Sequence, residues 1–292
     1  MADYQADMEK SLDSRELPPF PPVADALIRL TMDENVGLAE VSEVVSTDAA
    51  VSLEVLRVVN TGFVGVRGEV ASVSQAAAIL GVRRISSIAG AVAIRGYLGR
   101  LWRSAPVRRC WHHNLASALV AEHMARILFL DADAAHAAGL LHDIGRFALI
   151  VQHEGDYIRL LEHSTVQDGD LREREQEMFG TDHNEAGRVL LERLGMPASV
   201  LVVAAKHHDP PDEEGTQMIH LVRGSCKLAT AMGFGLHNNP SQSPADEPPD
   251  EATLEALLAG LPHAYRIEIA RHYESIQDSV VELVSAYDRA LV

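Results

Sequence analysis

The stretch Gly139-Leu140-Leu141-His142-Asp143-Ile144-Gly145-Arg146-Phe147 decides how the rest of the chain is interpreted. It places a histidine and an aspartate side by side at the end of an apolar, alanine-rich segment. Imidazole nitrogen and carboxylate oxygen both coordinate metal ions. Adjacent residues on a helix point about 100° apart, so this pair shares one ion only if the ion lies in the groove between them. The apolar surroundings favour a buried metal pair over an ordinary surface pair.

Three further stretches place histidine next to an apolar helical face. They contain His113, His183 and the doublet His207-His208. Taken alone, each has a simpler explanation. His113 could be an ordinary core histidine, and the doublet could be a cationic helix C-terminus that suits the helix dipole. Together with the central pair they supply five imidazoles and one carboxylate, enough for two metal ions with positions open for water or phosphate oxygens. The other histidines are predicted to be partly exposed helix residues: His112, His123, His136, His153, His163, His220, His237, His263 and His272.

Composition and periodicity predict an all-α fold. The chain has 292 residues, of which 47% are hydrophobic but only 5% aromatic, which favours helices packed through small aliphatic side chains. No apolar run reaches the roughly 18 residues that span a membrane. Asp48 is predicted to cap a helix whose Leu53 and Leu56 face inward. Residues 132–151 are predicted to form one helix through the central pair, and residues 251–292 to form two closing helices.

Charge is unevenly distributed along the chain. The net charge of −17 argues against bulk, non-specific binding to nucleic acid or to an anionic membrane. Residues 70–121, however, contain no Asp or Glu and hold seven arginines. These arginines either pair with acids elsewhere in the fold, which is the commoner case, or form a local anion site. The two cysteines, Cys110 and Cys226, do not make a disulfide framework, so a reduced, cytoplasmic setting is expected.

Two sets of motifs resemble known families. One set resembles the HD superfamily of metal-dependent phosphohydrolases: Trp-x-His113, His142-Asp143-Ile-Gly, Asp182-His183-Asn-Glu-Ala-Gly and His207-His208-Asp-Pro. The other set resembles the HDOD family, or HD-related output domains: Leu17-Pro-Pro-Phe-Pro, the segment from Asp48 to Asn60, Gly62-Phe-Val-Gly65 and Ile79-Leu-Gly81-Val-Arg-Arg.

This resemblance implies a fold and a division of the chain. The implied fold is a multi-helical HD-like bundle with an additional N-terminal helical subdomain, found in bacterial signalling proteins. The expected parts are an N-terminal tail at 1–16, an N-terminal helical part at 17–105, an HD-like core at 106–235, an exposed loop at 236–250, and C-terminal helices that pack on the core at 251–292.

The resemblance also implies a ligand set, from which this chain departs. Compared with the two-metal HD-GYP branch, the matching ligand positions are His113, His142, Asp143, His183, His207 and His208. The final ligand, an aspartate in that branch, falls at Cys226. A thiolate there favours soft ions such as zinc, whereas the simpler alternative is a small buried filler with one metal site lost. The lysine after the central motif is Arg146, and the acid one turn before the first histidine is Arg109; either arginine can bind phosphate. No Gly-Tyr-Pro follows the histidine doublet, which argues against cyclic-dinucleotide hydrolysis.

Three functions remain open at this stage. The favoured one is a signalling output module that is expected to be non-catalytic and to act through receiver, kinase or cyclase-type proteins. Its partly degraded site either binds a divalent metal, which would be iron, manganese or zinc, or holds none. The alternative is a metal-dependent phosphohydrolase acting on a nucleotide or other phosphoester. In that enzyme Asp143 holds metal and orients water, while Arg146 or Arg109 steadies phosphate charge. The third is a sensor that binds a nucleotide or phosphate without cleaving it. Neither nucleic acid nor membrane is an expected partner.

Overall fold

Helices account for the regular structure of the chain. The structure is a computed structural model that describes residues 17–31, 33, 35–61, 68–163, 171–210, 217–236 and 249–291. These residues contain no strand, which confirms the all-α prediction. Among them no helix is both long and apolar enough to cross a bilayer. The predicted tail, the Gly62-Phe-Val-Gly65 motif and most of the predicted exposed loop lie outside the described residues.

The N-terminal helices pack beside the long helix α5. They are α1 (Pro22–Leu30), α2 (Leu38–Ser46), α3 (Ala49–Val59), α4 (Val73–Leu80) and α5 (Val82–Leu98). Helix α1 opens on Pro22, where a missing amide hydrogen costs nothing because that position has no intrahelical acceptor.

Helix α3 confirms one prediction and corrects another. The Asp48 carboxylate accepts hydrogen bonds from the amides of Ala50 and Val51 at 2.8 and 3.1 Å, as expected of an N-cap. The predicted inward position of Leu53 is wrong, because this side chain is 53% exposed while Val55 is fully buried. The helix packs against α5 and the C-terminal helix, and Val55 belongs to the hydrophobic core.

The remaining helices build the core and close the chain. A 3-10 turn (Gly99–Arg103) leads into α6 (Ala105–Ile127), followed by α7 (Ala132–Leu141), α8 (Ile144–Gln152), α9 (Glu154–His163), α10 (Leu171–Phe179), α11 (His183–Arg193), α12 (Ala198–Lys206), α13 (Gln217–Ala229), a π-helical turn (Thr230–Phe234), α14 (Glu251–Leu257), α15 (His263–Arg271) and α16 (Tyr273–Leu291). The prediction of two closing helices is wrong, because the segment is broken twice. Pro262 precedes the start of α15, and His272 (φ −106°, ψ 5°) separates α15 from α16.

Helix α6 lies at the centre of the hydrophobic core. It packs against α7, α13 and α16, and it is buried along most of its length. One continuous apolar cluster runs from Leu17 to Leu291 and includes side chains from the N-terminal helices, the core and α16. The helices that carry the predicted ligands are therefore fixed to one another by packing.

The arginines of residues 70–121 mostly contact acids from outside that stretch. Four form ion pairs: Arg83 with Asp131, Arg84 with Glu122, Arg95 with Glu54, and Arg100 with Glu154. This arrangement agrees with the commoner of the two interpretations of the stretch.

Candidate metal centre

The central His-Asp pair lies at a break between two helices. The prediction of one helix over residues 132–151 is wrong, because α7 ends at Leu141 and α8 begins at Ile144. His142 keeps helical angles (φ −57°, ψ −40°), whereas Asp143 departs from them (φ −105°, ψ 18°). Both side chains are buried, at 0% and 1% exposure. The bend brings into one pocket two neighbours that a straight helix would have pointed about 100° apart.

A glycine contact brings the next histidine to this bend. A Cβ placed on Gly145 would overlap the carbonyl oxygen of His183 and the backbone of Gly187. A Cβ on Gly187 would in turn lie 3.3 Å from the Gly145 nitrogen. Helices α8 and α11 therefore touch backbone to backbone at the glycines of the two motifs, which places His183 beside Asp143.

The first group of candidate ligands consists of His113, His142 and Cys226, all buried and with ligand atoms within 4.8 Å of one another. The Nδ1 of His113 donates to the carbonyl of Phe234 at 2.9 Å, and that of His142 donates to the carbonyl of Gly139 at 2.6 Å. Since a carbonyl oxygen can only accept, both rings carry their proton on Nδ1 and present a lone pair on Nε2. The Cys226 Sγ lies 3.3 Å from the His113 Nε2.

The second group consists of Asp143, His183, His207 and His208, of which only His208 is exposed. The Asp143 Oδ1 lies 3.2 Å from the His183 Nε2 and 3.3 Å from the His207 Nε2. The Nδ1 of His207 donates to the carbonyl of Ala204 at 3.1 Å, so its Nε2 is again the unprotonated nitrogen. The structure thus brings together all seven predicted ligands in two adjoining groups.

Arg146 extends into the second group. Its side chain is 2% exposed, and its Nε donates to the Asp143 Oδ2 at 3.0 Å. Nη1 donates to the Oε1 of Glu175 and to the hydroxyl of Tyr157, both at 3.0 Å. Nη2 lies 3.0 Å from the His183 Nε2. Because a guanidinium has only donors, it uses the lone pair with which His183 would otherwise bind a metal.

Glu175 holds the other side of His183. Its Oε2 accepts from the His183 Nδ1 at 2.5 Å and from the His183 amide at 2.9 Å, and its Oε1 also accepts from the Tyr157 hydroxyl. Helix α10, which carries Glu175, was not predicted from the sequence. The segment is rich in charged residues and has the appearance of a solvated face, so only the burial of Arg146 could have indicated a need for a second carboxylate.

The charges of the cluster follow from these contacts. Burial alone would raise the pKa of Asp143, but Arg146 and His183 hold it well below its usual range. Burial acts likewise on Glu175, whose pKa His183 and Arg146 lower. Burial lowers the pKa of His142 to about 3 and raises that of Cys226 to about 12. Both buried carboxylates are therefore held in the ionised form beside the Arg146 guanidinium.

Unpaired lone pairs indicate that the residues fit a metal ion. The His142 Nε2, His207 Nε2 and Asp143 Oδ1 are buried and have no hydrogen-bond partner within the described part of the chain. Buried acceptors that face one another are unfavourable unless a cation or proton lies among them. Imidazole, carboxylate and thiol are also the donor types that iron, manganese and zinc take in proteins.

Other predicted residues have different surroundings. Arg109 lies one turn before the first histidine on α6, half-buried, and its Nε donates to the carbonyl of Leu236 at 3.2 Å. The prediction that His136 and His220 are partly exposed is wrong, since they are 2% and 7% exposed. His136 contacts the buried carboxylate of Glu122 at 2.8 Å, and that partner explains how a polar ring is accommodated there.

The all-α bundle, the His-Asp pair at a helix break and the surrounding imidazoles define a protein of the HD type. A sequence profile described as the HDOD domain matches residues 17–210, about two thirds of the chain. The chain belongs to the HDOD family.

Known proteins show the same fold. A putative phosphohydrolase from Shewanella amazonensis SB2B superposes with a TM-score of 0.70 at 19% identity, covering 98% of each chain. A putative signal transduction protein from Marinobacter aquaeolei VT8 gives a TM-score of 0.66 at 20% identity, covering 98% of this chain and 65% of that one.

A relative found by sequence is Ribonuclease Y of Deinococcus radiodurans, which is 26% identical over 180 residues, 61% of this chain. This chain spans only 26% of that ribonuclease.

Proposed function

We propose that this protein is a non-hydrolytic signalling output module that acts on receiver, kinase or cyclase-type partners through its helical surfaces. The observation that carries the proposal is the position of Arg146. Its guanidinium bonds to Asp143 and to the metal-facing nitrogen of His183, inside the second group of ligands.

Two-metal hydrolysis needs both ligand groups free. In such sites the two ions lie about 4 Å apart and together generate the attacking hydroxide and stabilise the phosphate oxygens. Here His183 is held by Glu175 on one nitrogen and by Arg146 on the other. Before His183 could bind an ion, its hydrogen bonds within this fully buried network would have to break. The charge balance of the network would be lost at the same time.

The relatives agree with a signalling role without requiring it. The chain matches the HDOD domain, and the Marinobacter protein of this fold is described as a putative signal transduction protein. A metal ion in the remaining ligands would tie helices α6, α7 and α13 together.

A phosphohydrolase is the alternative that the convergence of ligands favours. The Shewanella protein is described as a putative phosphohydrolase, and the Deinococcus protein as a ribonuclease. An RNA phosphodiester therefore belongs among the substrates to be tried, although the acidic chain does not favour it.

The deciding experiment measures hydrolysis by the full chain supplied with Mn²⁺, Fe²⁺ or Zn²⁺. Substrates are generic phosphomonoesters and phosphodiesters, nucleotides, cyclic dinucleotides and single-stranded RNA. We expect wild-type rates that equal those of Asp143→Ala. Turnover that is present in the wild type and lost in the folded variant would overturn the proposal.

A second measurement addresses the partners directly. Purified receiver, kinase and cyclase domains from the source organism are titrated against the full chain by calorimetry. We expect saturable binding by at least one of them, with equal affinity for Asp143→Asn. No binding across the set would contradict an output role of this type.

A further inference from the structure

The position of Arg146 limits how many divalent ions the cluster can hold. Its side chain is 2% exposed, its Nε bonds to the Asp143 Oδ2 at 3.0 Å, and its Nη2 lies 3.0 Å from the His183 Nε2. The guanidinium therefore lies among the ligand atoms of the second group. A divalent ion placed beside this buried cation would be repelled strongly, because charges are poorly screened away from water.

The Cys226 thiol supplies an anionic ligand in the first group. A divalent ion that binds sulfur displaces the thiol proton, because the metal ligand is the thiolate. The S–H bond breaks, the metal–sulfur bond forms and the proton goes to solvent. The negative charge left on sulfur then offsets part of the charge of the ion.

The geometry selects which group holds this ion. All four polar contacts of the Arg146 guanidinium go to Asp143, Glu175, Tyr157 and His183, and none goes to the first group of ligands. An ion in the second group would compete with that guanidinium for Asp143 and His183, whereas an ion at Cys226 would share no ligand with it.

The distances of the first group suit a tetrahedral ion. Tetrahedral zinc with bonds of about 2.3 Å to sulfur and 2.0 Å to nitrogen separates these two ligand atoms by roughly 3.5 Å. The Cys226 Sγ and the His113 Nε2 are 3.3 Å apart. The His142 Nε2, with no partner in the described chain, points a third donor into the same space.

We propose that the cluster binds one soft divalent ion through His113, His142 and the thiolate of Cys226, and that Arg146 stands where a second ion would sit. The site is thus a mononuclear thiolate centre with a built-in organic cation. This inference deepens the proposed function, because it names the ion class and the reason that only one is held.

Cobalt spectroscopy tests the thiolate. The metal-free full chain is titrated with Co²⁺, and thiolate-to-cobalt charge transfer is followed in the near ultraviolet. We expect the band in the wild type and its loss in Cys226→Ser. The matched control is Cys110→Ser, which changes the other buried free cysteine on the helix that carries His113. A wild type without the band, or a band that survives in Cys226→Ser, would overturn the proposal.

Metal counting tests the role of Arg146. After loading with excess Zn²⁺ and desalting, elemental analysis should find one equivalent per chain in the wild type and in Arg146→Lys. Folded Arg146→Gln, which removes the internal cation, should take up two. Zero or two equivalents in the wild type, or one in folded Arg146→Gln, would refute it. If that variant does not fold, the wild-type and Arg146→Lys counts still decide the number of ions.

The two proposals fail in different measurements. Hydrolysis by a protein with one thiolate-bound ion would overturn the non-catalytic role but leave the mononuclear centre intact. A protein that binds no metal and shows no turnover would overturn the mononuclear centre but leave the non-catalytic role intact.

Discussion

Replacing Glu175 by glutamine should cost a large part of the stability of the protein. The carboxylate is fully buried and accepts hydrogen bonds from Arg146, from Tyr157 and from both the ring and the amide of His183. Glutamine keeps the shape but offers one acceptor oxygen, and its NH₂ group faces donors on the other side. Arg146 also loses one of its two compensating carboxylates.

The magnitude follows from the number of bonds lost. Two charge-assisted hydrogen bonds at about 1.5–3 kcal/mol each set the upper range, and breaking one side of a buried ion pair costs roughly 3–5 kcal/mol. We therefore expect Glu175→Gln to lower the free energy of unfolding by about 3–5 kcal/mol. Domains of this kind are stable by only about 5–15 kcal/mol, so the loss is easily measured.

The assay is urea unfolding followed by far-ultraviolet circular dichroism on chelator-treated protein at neutral pH, which keeps metal linkage out of the result. Glu177→Gln is the matched control, since Glu177 is exposed on the same helix α10. It should change stability by less than about 0.5 kcal/mol. A loss below about 1 kcal/mol for Glu175→Gln, or equal losses for both variants, would refute the buried network described above.

Three further predictions concern packing and pH. Gly145→Ala should cost about 3 kcal/mol or abolish folding in a thermal melt, because its methyl would overlap the backbone of α11. Gly155→Ala, whose methyl would make only an ordinary contact at 3.5 Å with the Arg159 side chain, should be neutral or stabilising; equal melting temperatures would contradict the close contact. Val55→Ala should cost about 2 kcal/mol in urea unfolding and Leu53→Ala less than about 0.5, because only the former is buried; the reverse order would restore the inward face predicted from sequence. The folded-state pKa values of Asp143 and Glu175 lie below their unfolded values near 4. The stability that these two carboxylates contribute is therefore complete above about pH 5 and is lost as the pH falls. A urea unfolding midpoint that rises when the pH is lowered from 5 to 3 would contradict this sign.

Much of the ligand set was predictable because its members lie in short motifs with helical spacing. His142, Asp143 and His207 each stand at or near a helix end beside apolar residues, and the structure brings them together. The break at Asp143 was not predictable from local signals, since no proline lies near it. It is imposed by the contact between Gly145 and the backbone of α11, which only the tertiary structure supplies.

The partners of Arg146 were missed for a different reason. Sequence comparison alone presented this arginine as a group for a substrate phosphate. In the structure its donors are already used by Asp143 at the start of its own helix and by hydroxyl, carboxylate and imidazole groups from three other helices. Such a network is specified by burial, and burial of a charged residue is not visible in the periodicity of its own helix.

The glycine contact between α8 and α11 constrains the fold rather than the ligands. Gly145 and Gly187 lie in the same motifs as Asp143 and His183, and their part in the structure is to let two backbones meet. A substitution at either glycine would disturb the crossing of two helices, whereas a substitution at a ligand would change the chemistry and leave that crossing in place. Within one motif the glycine therefore reports on the fold, and the histidine or aspartate reports on what the site can bind.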